Sequence, residues 1–156
     1  MPVRSAGILL WRRSASGALE VLIGHMGGPF WTRKDGGAWS LPKGEYDDTE
    51  PPLQAALREF TEELGVALPV DPADLVELGE VRQPSGKRLV VWAGQGELDP
   101  SSVVPGTFQI EWPPRSGKQA EFPELDRVEW STVEDARERL VVGQRAFLDQ
   151  LIDRIG

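Results

Sequence analysis

An α/β domain is the fold class this sequence predicts, and three features carry that expectation. Short apolar or β-branched runs recur along the chain, a strongly amphipathic helix interrupts them at residues 53–64, and two helical stretches close the C-terminal end. With 156 residues, 40% hydrophobic and 27% charged, the chain suits a single domain over 1–156 that can bury a genuine core. Residues 5–11 and 18–25 read as a β-hairpin around a Ser-Ala-Ser-Gly turn. Residues 26–37, with Gly-Gly-Pro and Asp-Gly-Gly, read as a long functional loop before the apolar stretch 38–41. Residues 75–81 and 88–94 are further strands. The proline-bearing segment 105–123 is expected to be irregular apart from a strand at 107–112. A last strand at 126–130 precedes helices at 133–140 and 144–155, the latter with Phe147, Leu148, Leu151, Ile152 and Ile155 on one buried face.

Composition narrows the chemistry. The chain has no cysteine, which removes disulfides, thiolate metal sites and cysteine nucleophiles. No apolar run approaches the ~20 residues of a membrane helix, and the N-terminal apolar stretch is short for a signal peptide, so a cytoplasmic protein without membrane contact is expected. The net charge of −8 opposes stable binding to nucleic acid. The charge is uneven, however: the first 45 residues carry a small positive excess, and the acidic excess lies in the rest. An anion gripped by the first part and a cation held by the second would fit that division.

The most informative segment is 44–66, GEYDDTEPPLQAALREFTEELGV. Thr49 or Asp48 is expected to cap its helix, Pro51 and Pro52 fit only a first turn, and Gly65 supplies a left-handed stop. Leu53, Ala56, Leu57, Phe60 and Leu64 share one face, while Glu59, Glu62 and Glu63 form a stripe beside it. Like charges at this spacing cost ~0.2–0.5 kcal/mol, so the stripe is either solvated or balanced by a cation. Arg58 can pair with Glu62, and a hard divalent cation such as Mg²⁺ would accept the remaining oxygens.

The spacing resembles the Nudix box of the Nudix hydrolase family, G-x5-E-x7-R-E-U-x-E-E-x-G-U, where U is a bulky apolar residue. Gly44, Glu50, Arg58, Glu59, Phe60, Glu62, Glu63, Gly65 and Val66 fill every specified position. The resemblance implies an α/β/α sandwich around a mixed sheet. It also implies metal-dependent hydrolysis of a phosphoanhydride bond in a nucleoside diphosphate-linked compound, with Mg²⁺ or Mn²⁺ as cofactor. Glu59 and Glu63 are then the main metal ligands, Glu62 a further ligand or the base that activates water, and Gly44 a source of a carbonyl oxygen near the metal. Glu50 and Arg58 hold the box together behind these groups, Arg58 serving catalysis in that way. Nudix enzymes also take an acidic residue from the loop before a late strand, which implies Glu124 here, with Glu121 next in line. A non-catalytic, Nudix-like nucleotide sensor is the alternative, and the full set of box carboxylates favours the enzyme.

The approach Trp39-Ser-Leu-Pro-Lys43-Gly44 is similar to that of Nudix enzymes acting on dinucleoside polyphosphates or inositol pyrophosphates. Residues 25–31 with Trp39 resemble a bacterial group of predicted NTP pyrophosphohydrolases. The expected partner is a small nucleotide or polyphosphate, foremost a dinucleoside polyphosphate or nucleoside triphosphate. Lys43 offers a point charge to a phosphate chain, and Trp31, Arg33 and Trp39 are the other candidate substrate contacts. Trp11, Trp92 and Trp130 read as packing residues, and His25, the only histidine, as a hydrogen-bonded structural one.

Overall fold

The computed structural model describes residues 3–155. The expected hairpin forms between β1 (Arg4–Arg13) and β2 (Leu19–Met26), paired from Trp11–Val21 to Arg13–Leu19. Away from the turn the two strands splay, and β3 (Trp39–Ser40) and β4 (Lys43–Tyr46) fill the wedge, β3 against β2 and β4 against the first half of β1. Gly7 lets the wedge close, because a Cβ there would come within 2.5 Å of the Leu41 side chain and 2.6 Å of the Pro42 carbonyl. The opposite edge of β1 runs parallel to β6 (Arg88–Gln95), which pairs with β5 (Val76–Arg82), while β9 (Leu125–Thr132) pairs with β2.

Strand alternation sorts the core into two halves. Ala6, Ile8, Leu10 and Leu22 face α1 (Pro52–Leu64), and Leu9, Val21, Ile23 and Val91 face α2 (Val133–Arg139) and α3 (Ala146–Ile155). Burial on both faces is why β1 and β2 read as nearly continuous apolar runs, and it makes the domain an α/β/α sandwich.

Several local expectations are corrected. Neither Thr49 nor Asp48 caps α1: the N-cap is Pro51, with no side-chain bond, and Thr49 instead donates to Asp47 Oδ1 from its backbone nitrogen at 2.9 Å. Paired prolines set the start, because their missing N–H groups cost nothing in a first turn. Gly65 does end the helix, in the left-handed region at φ 67°. The buried face is rotated from the expected one, with Ala55 and Glu63 inside and Leu53 and Leu57 only half-buried. Within 105–123 the structure adds a second strand, so that β7 (Thr107–Glu111) and β8 (Gln119–Pro123) form a separate hairpin. The C-terminal helix starts two residues late, leaving Gln144 buried below it, and Ile152 is exposed. Among the described residues no helix is long and apolar enough to cross a membrane.

Candidate active site

The site grows from the contact between α1 and β4. Arg58 is its organiser: Nε and Nη2 each donate to one oxygen of Glu50 at 2.8 Å, and Nη1 donates to Glu59 at 2.9 Å and Glu62 at 3.1 Å. A planar fork can orient three carboxylates at once, which an ammonium cannot. The same pairing keeps the Glu50 carboxyl below its ordinary range. Arg58→Lys is therefore expected to lower kcat/KM by about 10–100-fold with little change in thermal midpoint, as measured by steady-state kinetics and calorimetry.

Two carboxylates turn toward β4. Glu59 lies over Gly44, where any Cβ would overlap its carboxyl group. Glu63 is 8% exposed and accepts the backbone N–H of Lys43 at 2.9 Å. Burial pushes the Glu63 carboxyl up to about 7 against the opposing pull of that bond, and burial also raises Glu59 despite Arg58. Glu124 adds negative charge that raises both.

The expected Gly44 carbonyl is corrected by the strand register. Pro42 O accepts from Ile8 N of β1, whereas Lys43 N and Glu45 O turn outward to Glu63 and Arg58. Backbone groups alternate along a paired strand, so the Gly44 carbonyl is directed at β1. Its neighbour Lys43 presents the carbonyl on the outer edge of β4. Gly44 contributes the space for Glu59.

Glu124 stands where β9 begins, next to the β7–β8 hairpin. Its N–H donates to Gly106 O at 2.8 Å and its carbonyl accepts from Gly27 N at 2.9 Å, fixing the backbone on both sides. Gly106 also lies against the Glu62 carbonyl, which brings the loop to the end of α1. Glu121, by contrast, is on the exposed face of β8.

The candidate substrate contacts divide. Lys43 is half-buried at the β4 edge. Arg33 is exposed and forms no ion pair among the described residues, and Trp31 is half-buried against the α2–α3 core with the Lys34 ammonium 5.3 Å from its ring. Trp39 is corrected: it is fully buried, flanked by the Arg127 and Arg139 guanidinia and edge-on to His25, with Nε1 donating to Asp35 at 3.0 Å. Every face of the ring is thus in use, and none is left for a substrate. His25 is structural in the expected sense, buried between Asp126 at 2.8 Å and the Lys34 carbonyl at 2.6 Å, so that it ties the 27–37 loop to β9.

The donor set suits a hard divalent cation, with carboxylates from Glu59 and Glu63, an outward Lys43 carbonyl, and a glycine that keeps the approach open. Among the described residues no three acidic or histidine side chains converge into a ready-made cage. On the other face of β4 lies a cleft of about 440 Å³ that the sequence did not reveal, lined by Lys43 and Glu45, by Ser5 and Leu89, and by the 83–87 turn.

Comparison with known proteins identifies the family. The NUDIX domain family matches residues 1–151. An RNA pyrophosphohydrolase of Agrobacterium fabrum is 32% identical over 126 residues, covering 73% of this chain and 69% of that protein. A putative 8-oxo-dGTP diphosphatase 3 of Mycobacterium tuberculosis is 40% identical over 63 residues, 40% of this chain and 28% of its own length. Among solved structures, a Caenorhabditis elegans Ap4A hydrolase binary complex aligns with TM-score 0.63 at 22% identity, covering 98% of this chain and 97% of that one. The NUDIX domain of Shewanella oneidensis NrtR with ADP ribose aligns with TM-score 0.68 at 19% identity, over 100% and 90% of the two chains. The box helix, its carboxylates on the β4 edge and a family match over nearly the whole chain lead to one conclusion: this protein belongs to the Nudix family of hydrolases, which cleave pyrophosphate bonds and use a divalent cation.

Proposed function

We propose that the chain, a single Nudix domain over 1–156, hydrolyses a phosphoanhydride bond in a nucleotide, with dinucleoside polyphosphates and nucleoside triphosphates as leading substrates and Mg²⁺ as the working cation. The observation that carries this reading is the meeting of Glu59 and Glu63 with the outer edge of β4 at Gly44 and Lys43. Glu59, Glu63 and the Lys43 carbonyl would hold a divalent cation there, which when bound would supply Lewis acidity to a phosphoanhydride. Arg58 keeps Glu59 and Glu62 in their rotamers, Lys43 offers its ammonium to the phosphate chain, and Glu124 takes the proton of the attacking water, with Glu62 as the second candidate for that role.

A screen of nucleotides with Mg²⁺ or Mn²⁺, with products resolved by chromatography and EDTA as control, tests the reading. Inorganic phosphate should appear only after a phosphatase is added. Direct release of phosphate from a nucleoside triphosphate would overturn the pyrophosphohydrolase assignment. Lys43→Ala is expected to weaken turnover of long phosphate chains more than short ones, since each further phosphate adds a contact for a nearby cation. Equal losses across a series of chain lengths would remove that role from Lys43.

A further inference from the structure

The cleft behind β4 lies on the sheet face opposite α1, beside the 141–144 segment that precedes α3. Its floor follows from register. Ser5 pairs with both Glu45 and Leu89, so these three side chains form a row across β4, β1 and β6, while the next row, Ala6 with Gly44 and Val90, faces α1. Lys43 lies one row farther toward the box, level with Gly7 and Val91. Lys87, just ahead of β6, lines the opposite end. Arg88 also lines the cleft but lies 3.8 Å from Glu80, so the charges there without an ion pair among the described residues run positive, negative, positive: Lys43, Glu45, Lys87. Two strand spacings and two two-residue steps put the lysine α-carbons roughly 15–17 Å apart. That separation leaves room for a nucleoside between the two side chains.

This pattern selects among ligands. A continuous polyphosphate laid along the floor would meet the Glu45 carboxylate. A neutral nucleoside avoids that repulsion and offers the carboxylate a ribose hydroxyl, while Met26, Leu89, Val141 and Pro84 give its base an apolar surface. Among the described residues β4 pairs only with β1, so its outer edge carries no further strand across which a ligand would have to pass. Lys87 is exposed and forms no ion pair among the described residues.

The geometry points to a nucleotide phosphorylated on both sides of its ribose as the ligand of this cleft. The phosphate at the 5′ side would sit by Lys43 and one at the 3′ side by Lys87. The assignment rests on the proposed pyrophosphohydrolase function and deepens it by making Lys87 a specificity residue outside the box. A 3′ phosphate belongs either to a small 3′-phosphorylated nucleotide or to the start of an oligonucleotide, and the two are distinguishable.

Metal-free calorimetric binding of adenosine 5′-monophosphate, adenosine 3′,5′-bisphosphate and the dinucleotide pApA tests it without requiring turnover. The bisphosphate, the dinucleotide or both should bind about tenfold tighter than the monophosphate, and Lys87→Ala should abolish the gain while leaving the monophosphate unchanged. A gain confined to pApA identifies the oligonucleotide, and one confined to the bisphosphate identifies a free 3′ phosphate. Equal affinity for all three, or a gain that survives Lys87→Ala, overturns the inference. Because no bond is cut, failure here is separate from failure of the hydrolysis screen.

Discussion

Glu63→Gln is expected to remove nearly all turnover and, at the same time, to stabilise the metal-free protein. The two effects share one cause. Glu63 is buried beside Glu59 and Glu124, and only the Lys43 N–H and the positive charge of Lys43 offset the cost of ionising it. Its carboxyl titrates at about 7 in the folded chain, against an ordinary 4.5. A carboxyl with a raised folded value binds more protons in the native state, so folding stability is lost as pH rises from the unfolded value through the folded one. Glutamine is neutral and its oxygen still accepts from Lys43, so near pH 7 the variant should gain about 2–3 kcal/mol without metal. Urea unfolding in EDTA at pH 5 and pH 8 checks this: the advantage should be clear at pH 8 and small at pH 5. A destabilised variant would overturn the burial cost assigned to Glu63, and full activity at saturating Mg²⁺ would remove it from its role as a ligand.

Glu124→Gln is expected to lower kcat by ~10²–10⁴-fold while KM changes little, because proton transfer from water matters only in the transition state. Backbone bonds to Gly106 and Gly27 hold the position independently of the side chain, so the fold should be indifferent to the exchange. Kinetics across the pH range give the answer. A loss below about threefold would pass the role to Glu62.

The parts of the molecule that were legible in the sequence are those governed by short-range rules. The box helix, its left-handed stop at Gly65 and the Arg58–Glu62 pair all follow from spacing within a few residues. The N-terminal hairpin was visible for the same reason. What escaped depends on register between distant strands. The outward turn of Lys43 is set by its pairing with Gly7, and the cleft is set by three strands whose alignment no local pattern encodes. Trp39 misled because it stands in the approach to the box, whereas it is packed into the α2–α3 core and its ring is flanked by Arg127 and Arg139, far along the chain. β8 was hidden by prolines, yet Pro123 sits at the last position of that strand, where a missing donor is tolerated.

The parallel pairing of β1 with β6 also has a consequence in time. β1 supports β4, yet its other edge is completed only by residues 88–95, and β9, which carries Glu124 into place, comes later still. A chain leaving the ribosome therefore presents residues 44–66 with β1 already made but before β6 and β9 exist. Such non-local topologies close slowly, in milliseconds to seconds rather than microseconds. Until β9 has joined the sheet, Glu124 is not held beside the box, so the site is complete only with the last strand in place.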